Sequence, residues 1–177
     1  MDELAQLADL IKARNQIAEE ITSIIRRPAL VGHVGEYIAS KIFAIDLEDS
    51  ASEKSLDGHF TTGPVRDCSV NIKWYGKREG ILNITPDALP DFYLVLTGAK
   101  SSAVASRGKT RPWSIKSVYL FDASGLVLVL RKRGIKIGTA TSVIQDLWRG
   151  AEIYPSQKND NLILSESQRE LLALFNQ

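Results

Sequence analysis

The sequence predicts an α/β domain with a central mixed β-sheet of about five strands and helices on both sides. Three observations support this fold class. Helical periodicity extends as far as Phe43, two strand-like segments follow at 54–60 and 66–75, and residues 91–98 form a continuous apolar run that ends in glycine. With 177 residues, 44% apolar and 24% charged, the chain is long enough to bury a substantial core as one domain.

Residues 2–26 have the pattern of an amphipathic helix that Pro28 ends. Apolar residues recur every seven positions, at Leu4, Ile11, Ala18 and Ile25. Two interpretations remain open. Either the helix packs on its own domain, or it lies against the same helix of a second chain in a homodimer.

A second helix is predicted from Val31 to Phe43, where Val34, Ile38 and Ile42 form an apolar row. Glu36 lies off that row and, taken alone, is an ordinary exposed carboxylate. On the strand at 66–75, Val70, Ile72 and Trp74 point to one face, so Asn71 and Lys73 share the other.

The second half of the chain contains shorter elements. Residues 99–112 are small, polar and basic and indicate a mobile loop, residues 113–122 a strand, and residues 126–130 an apolar run. Thr141 or Ser142 is predicted to cap a short helix, and Ser165 a last one with Gln168 in a capping box. The single domain thus divides into an N-terminal helix (1–28), a core (32–122) and C-terminal strands and helices (123–177).

Composition indicates a cytoplasmic protein. The chain has no apolar run of about 18 residues, which a membrane span requires, and its acidic start does not resemble a signal peptide. Cys68 is the single cysteine and suits a reducing compartment. The spacings of phosphate loops, dinucleotide-binding loops and zinc sites are absent from the sequence.

Charge is distributed unevenly along the chain. Residues 1–60 carry six Lys/Arg against eleven Asp/Glu, whereas residues 61–150 carry fourteen against six. The middle of the chain therefore has a net charge of +8, between acidic ends of −5 and −2. This field is compatible with a polyanionic partner, although a basic segment alone is more often a solvated surface.

One group of residues has the side chains of a catalytic metal site. Asp57 opens the first strand of the pair, and Asn71 lies two residues before Lys73 on the next. Oxygen ligands of this kind suit a divalent metal, beside which a lysine ammonium can act on the water that the metal activates.

With Glu36 on the preceding helix, the segment from Gly32 to about Gly98 resembles the PD-(D/E)xK nuclease superfamily, which includes many restriction endonucleases. Leu56-Asp57-Gly58 resembles the segment with the metal-ligand Asp, and Asn71-Ile72-Lys73 stands where the family has D/E-x-K. The resemblance implies a restriction-endonuclease-like core and Mg²⁺- or Mn²⁺-dependent hydrolysis of DNA. Asp57, Asn71, the Ile72 carbonyl and Glu36 are the implied metal ligands, and Lys73 is implied to orient or deprotonate the attacking water.

The implied substrate is double-stranded DNA, and cutting both strands favours a homodimer. We expect phosphate contacts from the basic side chains of the middle segment: Lys100, Arg107, Lys109, Arg111, Arg131, Lys132 and Arg133. Asn71 departs from the family pattern because a carboxamide contributes no negative charge. Two alternatives therefore remain, a DNA-binding module without catalysis and an interaction protein that is not a nuclease.

Overall fold

The computed structural model describes residues 2–48, 55–100 and 111–176. The helices are α1 Asp2–Ile25, α2 Val31–Phe43, α3 Ala123–Lys132, α4 Gln145–Ala151 and α5 Glu166–Ala173. The strands are β1 Ile45–Leu47, β2 Gly58–Phe60, β3 Ser69–Tyr75, β4 Ile81–Leu82, β5 Phe92–Thr97, β6 Ser117–Asp122, β7 Thr141–Ser142 and β8 Glu152–Tyr154.

The described strands form a mixed six-stranded sheet in the order β1-β2-β3-β5-β6-β8. β3 and β5 are parallel and every other neighbouring pair is antiparallel. β4 and β7 form a separate antiparallel pair. The predicted α/β class with a central mixed sheet is confirmed, with six strands in the sheet where about five were expected.

Helices cover both faces of the sheet, as predicted. On one face, α2 and α5 bury Ile38, Ile42 and Leu172 against the Val70, Ile72 and Trp74 side of β3. On the other face, α3 and α4 pack against β5 and β6 around a second core that includes Leu126, Leu130, Trp148, Tyr93 and Phe121. The alternation along β3 is therefore confirmed, since its apolar side chains enter the first core and Asn71 and Lys73 point to the other face.

The position of α2 is set by a close approach to β3. A Cβ atom on Gly35 would lie 3.0 Å from the Cβ of Trp74, so a larger residue would push the helix away from the sheet. α2 has the predicted bounds, and it ends where Ala44 adopts a left-handed conformation. This packing brings Glu36, the residue after Gly35, towards the β2–β3 end of the sheet.

Several local predictions differ from the structure. The apolar run at 126–130 belongs to α3, which begins after Asp122 accepts a hydrogen bond from the Gly125 N–H. Thr141 and Ser142 cap no helix, because they pair with β4, and α4 begins at Gln145. The capping box of Ser165 and Gln168 is confirmed. Most of the predicted mobile loop lies outside the described residues.

α1 projects from the domain with little contact. Ile25 is the one buried residue of the described helix. Six large apolar side chains on one side of it are exposed, which we call the apolar row: Leu4 72%, Leu7 51%, Leu10 61%, Ile11 49%, Ile17 58% and Ile24 63%. None of the described helices is both long enough and apolar enough to cross a membrane.

Candidate active site

Asp57 lies where β2 begins, at the point where β3 extends beyond β2 and is paired only with β5. Its main-chain N–H donates to the Val70 carbonyl over 3.0 Å, and its Oδ2 accepts a hydrogen bond from the Ile72 N–H at 2.6 Å. Gly58 permits the close approach of β1 to the start of β2, because a Cβ there would lie 2.2 Å from the Asp46 carbonyl oxygen. The Asp57 carboxylate thus accepts the hydrogen bond from Ile72 that a main-chain carbonyl of a longer β2 would accept.

Asn71 and Lys73 follow on the face of β3 opposite to α2. Asn71 is 7% exposed, and its Oδ1 has no hydrogen-bond partner among the residues that the structure describes. A buried carbonyl oxygen without a partner is uncommon in native proteins and often marks a site for a water molecule or an ion. The Lys73 Nζ lies 5.5 Å from the centre of the Tyr93 ring on β5.

Glu36 approaches Asp57 from α2 and is held by Arg27. The Glu36 side chain is 17% exposed and forms an ion pair with the Arg27 guanidinium. The sequence patterns did not identify Arg27 as a site residue, because it appeared only as a charge at the end of the first helix. Its contact with Glu36 depends on the turn at Pro28, which local periodicity does not predict.

The electrostatics of this grouping are unbalanced. Burial raises the pKa of the Asp57 carboxyl above its ordinary value, and the neighbouring Glu36 carboxylate adds to the rise. The hydrogen bond from Ile72 and the charges of Lys73 and Arg27 oppose this rise without cancelling it. Burial also lowers the pKa of Lys73, an effect that Asp57 partly offsets. The charged form of Asp57 is therefore less favourable in the folded protein than in water.

The donor set fits a hard divalent cation. The carboxylates of Asp57 and Glu36, the Oδ1 of Asn71 and the main chain of Ile72 supply the oxygen ligands that Mg²⁺ and Mn²⁺ accept. Within the described ranges, no group of three or more His, Cys, Asp or Glu side chains is placed to hold a metal ion. A metal at this position therefore depends on the amide oxygen and on main-chain oxygens as well as the two carboxylates.

The predicted phosphate-contacting residues occupy different places. Lys100 is exposed, and its main chain forms an isolated parallel β-bridge with that of Arg78. Arg111 forms a salt bridge with Glu79 at 2.9 Å. An exposed basic cluster, Arg131, Lys132 and Arg133, ends α3 on the same face of the sheet as Lys73. Arg107 and Lys109 lie outside the described residues.

Comparisons with known proteins give no family for this chain. No protein-family model matches the sequence, and no curated protein is similar to it.

Proposed function

We propose that the protein is a metal-dependent DNA endonuclease of the restriction type that hydrolyses phosphodiester bonds. The observation that carries this proposal is the constellation around β3. A fixed Asp57 carboxylate, the buried Asn71 oxygen that has no partner among the described residues, and the Lys73 ammonium lie beside the main chain of Ile72. This combination of hard oxygen ligands and one cation suits hydrolysis of a phosphate ester.

Each residue has a role in the proposed reaction. Asp57, Glu36, Asn71 and the Ile72 carbonyl would hold Mg²⁺ or Mn²⁺, and Glu36 would leave its ion pair with Arg27 to do so. The bound metal supplies Lewis acidity towards the water nucleophile and the phosphate. Lys73 donates a hydrogen bond to the attacking water or to a phosphate oxygen and stabilises the charge that builds up in the transition state.

A second candidate function is DNA binding without catalysis. Asn71 favours it, since a neutral amide weakens metal binding relative to the carboxylate that the resemblance leads us to expect. The same fold and the same basic cluster at Arg131, Lys132 and Arg133 serve either function. Cleavage of DNA in the presence of metal distinguishes the endonuclease from the binding module.

The test is cleavage of mixed-sequence plasmid DNA with Mg²⁺ or Mn²⁺, compared with the variants Asp57→Ala and Lys73→Ala. We expect the native protein to cut into discrete fragments and each variant to lose activity by at least about 100-fold, the range for loss of a general acid–base group or of a preorganised donor. Chelation of the metal should stop the reaction.

Matched controls are Asp160→Ala and Lys158→Ala, which remove exposed residues of the same types in the loop after β8. They should cut like the native protein. DNA binding without cutting would support the binding module, and absence of both would contradict the nucleic-acid proposal and favour an interaction protein.

We also propose that the protein is an antiparallel homodimer through α1. The exposed apolar row extends along a helix of 24 residues, about 36 Å in length. Asp2 and Glu3 begin the helix and Arg26 follows its end, so an antiparallel pair brings opposite charges together at both ends. A dimer brings two candidate sites into one particle, as cutting both strands of a duplex requires.

A further inference from the structure

We propose that a cleft next to the candidate active site binds one unstacked nucleobase of the DNA. This inference rests on the proposed function and adds a feature of the substrate to it, a base that has left its stack next to the scissile phosphate. The cleft has a volume of about 280 Å³, at the lower end of the range for ligand pockets and suited to a single ring system. Its lining includes Val31, Trp74, Tyr75, Ile81 and Trp113.

Two tryptophans line the cleft, one of them buried and the other exposed. Trp74 is 8% exposed, and its Nε1 donates to the Ser114 carbonyl at 3.1 Å. Trp113 contacts it with 6.0 Å between ring centres and an angle of 53° between the planes, and is 42% exposed. Trp113 therefore has exposed ring surface on which a base can stack, and its contact with Trp74 supports the ring.

Polar groups at the cleft match the edge of a base and its phosphate. Glu79 is held by Arg111 through two hydrogen bonds of 2.9 and 3.1 Å, and its side chain is 18% exposed. A fixed carboxylate accepts hydrogen bonds from the amino groups of bases. Lys77 also lines the cleft and supplies a charge for a backbone phosphate.

The cleft lies at the end of β3 that follows the candidate active site. Trp74 and Tyr75 directly follow Lys73 on β3, so they lie roughly 3–7 Å further along the strand. Val31 begins α2, which carries Glu36. A phosphate next to Lys73 would thus present its neighbouring base to the cleft, but only where that base is free of its stack, as in single-stranded or distorted DNA.

Tryptophan fluorescence and binding affinity test the proposal without any cutting, in buffer containing EDTA. The probes are a single-stranded oligonucleotide, the same strand as a duplex, and the same strand with abasic sites. We expect the single strand to quench fluorescence and to bind more tightly than the duplex or the abasic strand. Trp113→Ala should weaken binding of the single strand by about 10-fold or more and have little effect on the abasic strand.

Two further variants make the result specific. Trp113→Phe keeps an aromatic ring and should restore much of the affinity. Leu128→Ala removes a side chain that is 55% exposed on α3 and should have no effect. Equal binding of all three probes, no effect of Trp113→Ala, or no binding to any probe would overturn the inference.

The binding test of the cleft can succeed or fail independently of the cleavage test of the nuclease proposal. If the native protein cuts DNA and Trp113→Ala binds and cuts like it, the cleft proposal fails and the nuclease proposal stands. If Trp113-dependent binding of the single strand is observed without cutting in Mg²⁺, the cleft proposal stands and catalysis fails.

Discussion

At the scale of single residues, the candidate site holds charge in an unfavourable environment. Asp57 is fixed by the Ile72 N–H, repelled by Glu36 and partly shielded from water. Groups with perturbed pKa values often mark functional sites, because folding alone would not favour them. The buried Asn71 oxygen on β3, which has no hydrogen-bond partner in the described part of the chain, also suggests a functional site.

We predict that Asp57→Asn raises the thermal stability of the metal-free protein while it abolishes cleavage. The amide keeps an oxygen for the Ile72 N–H and removes the buried charge. The pKa of Asp57 in the folded protein is raised above its ordinary value of 3.8, so the carboxyl destabilises the folded state once the pH exceeds that raised value. An increase of about 2–4 °C in the melting temperature at neutral pH would correspond to about 1 kcal/mol for a domain of this size.

The pH dependence of this effect has a defined sign. Below about pH 4 the carboxyl is protonated in both states, so the variant should lose its advantage there. The advantage should grow as the pH rises through the folded-state pKa. Melting curves of both proteins from pH 4 to pH 8 measure it, with Asp160→Asn as an exposed control that changes little. A lower melting temperature for Asp57→Asn at pH 7 would contradict the electrostatic argument.

At the scale of elements, α1 is a helix whose apolar row has no cover in the described chain. Isolated helices are marginal in water, and most helical stability comes from packing of an apolar face. A row of six exposed Leu and Ile side chains therefore favours a second copy of the helix as its cover.

We predict that Leu10→Ser combined with Ile17→Ser converts the dimer into a monomer. Both side chains lie in the middle of the apolar row, so the interface loses its central contacts. Sedimentation analysis should show the native protein at twice the chain mass of 19.6 kDa and the double variant at the chain mass. Gln16→Ser combined with Ser23→Ala changes exposed or polar positions outside the row and should remain dimeric. A monomeric native protein would contradict the proposal.

At the scale of the whole molecule, the topology places the basic cluster on the face of the sheet to which Asn71 and Lys73 point. The net charge of the whole chain is only +1, yet the segment 61–150 carries +8. The cluster Arg131, Lys132 and Arg133 lies on the face that Lys73 also occupies. The positive charge is therefore local rather than a property of the whole chain, and the proposed attraction of DNA would depend on this segment.

We predict that alanine at all three positions of this cluster weakens DNA binding at every sequence and reduces its salt dependence. Loss of three phosphate contacts should make the slope of log K against log salt shallower by about 3. Affinity measured across a range of salt concentrations provides both quantities. Lys41→Ala combined with Lys158→Ala removes exposed lysines from other parts of the surface and should leave the slope unchanged, and an unchanged slope in the cluster variant would place the DNA elsewhere.

The sequence by itself determined the fold class, the bounds of α2, the alternation of β3 and the capping box of α5. These features depend on periodicity and capping within a few residues, which a linear pattern contains. Asn71 and Lys73 were therefore assigned to one face before any contact was known.

Only the tertiary structure decided the contacts between distant segments. It placed the Asp57 carboxylate on the Ile72 N–H, paired Glu36 with Arg27, drew Thr141 and Ser142 into a strand with β4, and left the Asn71 oxygen without a described partner. Each of these outcomes depends on how helices and strands pack together. Hydrogen-bond satisfaction and desolvation are properties of that packing, so no local pattern in the sequence contains them.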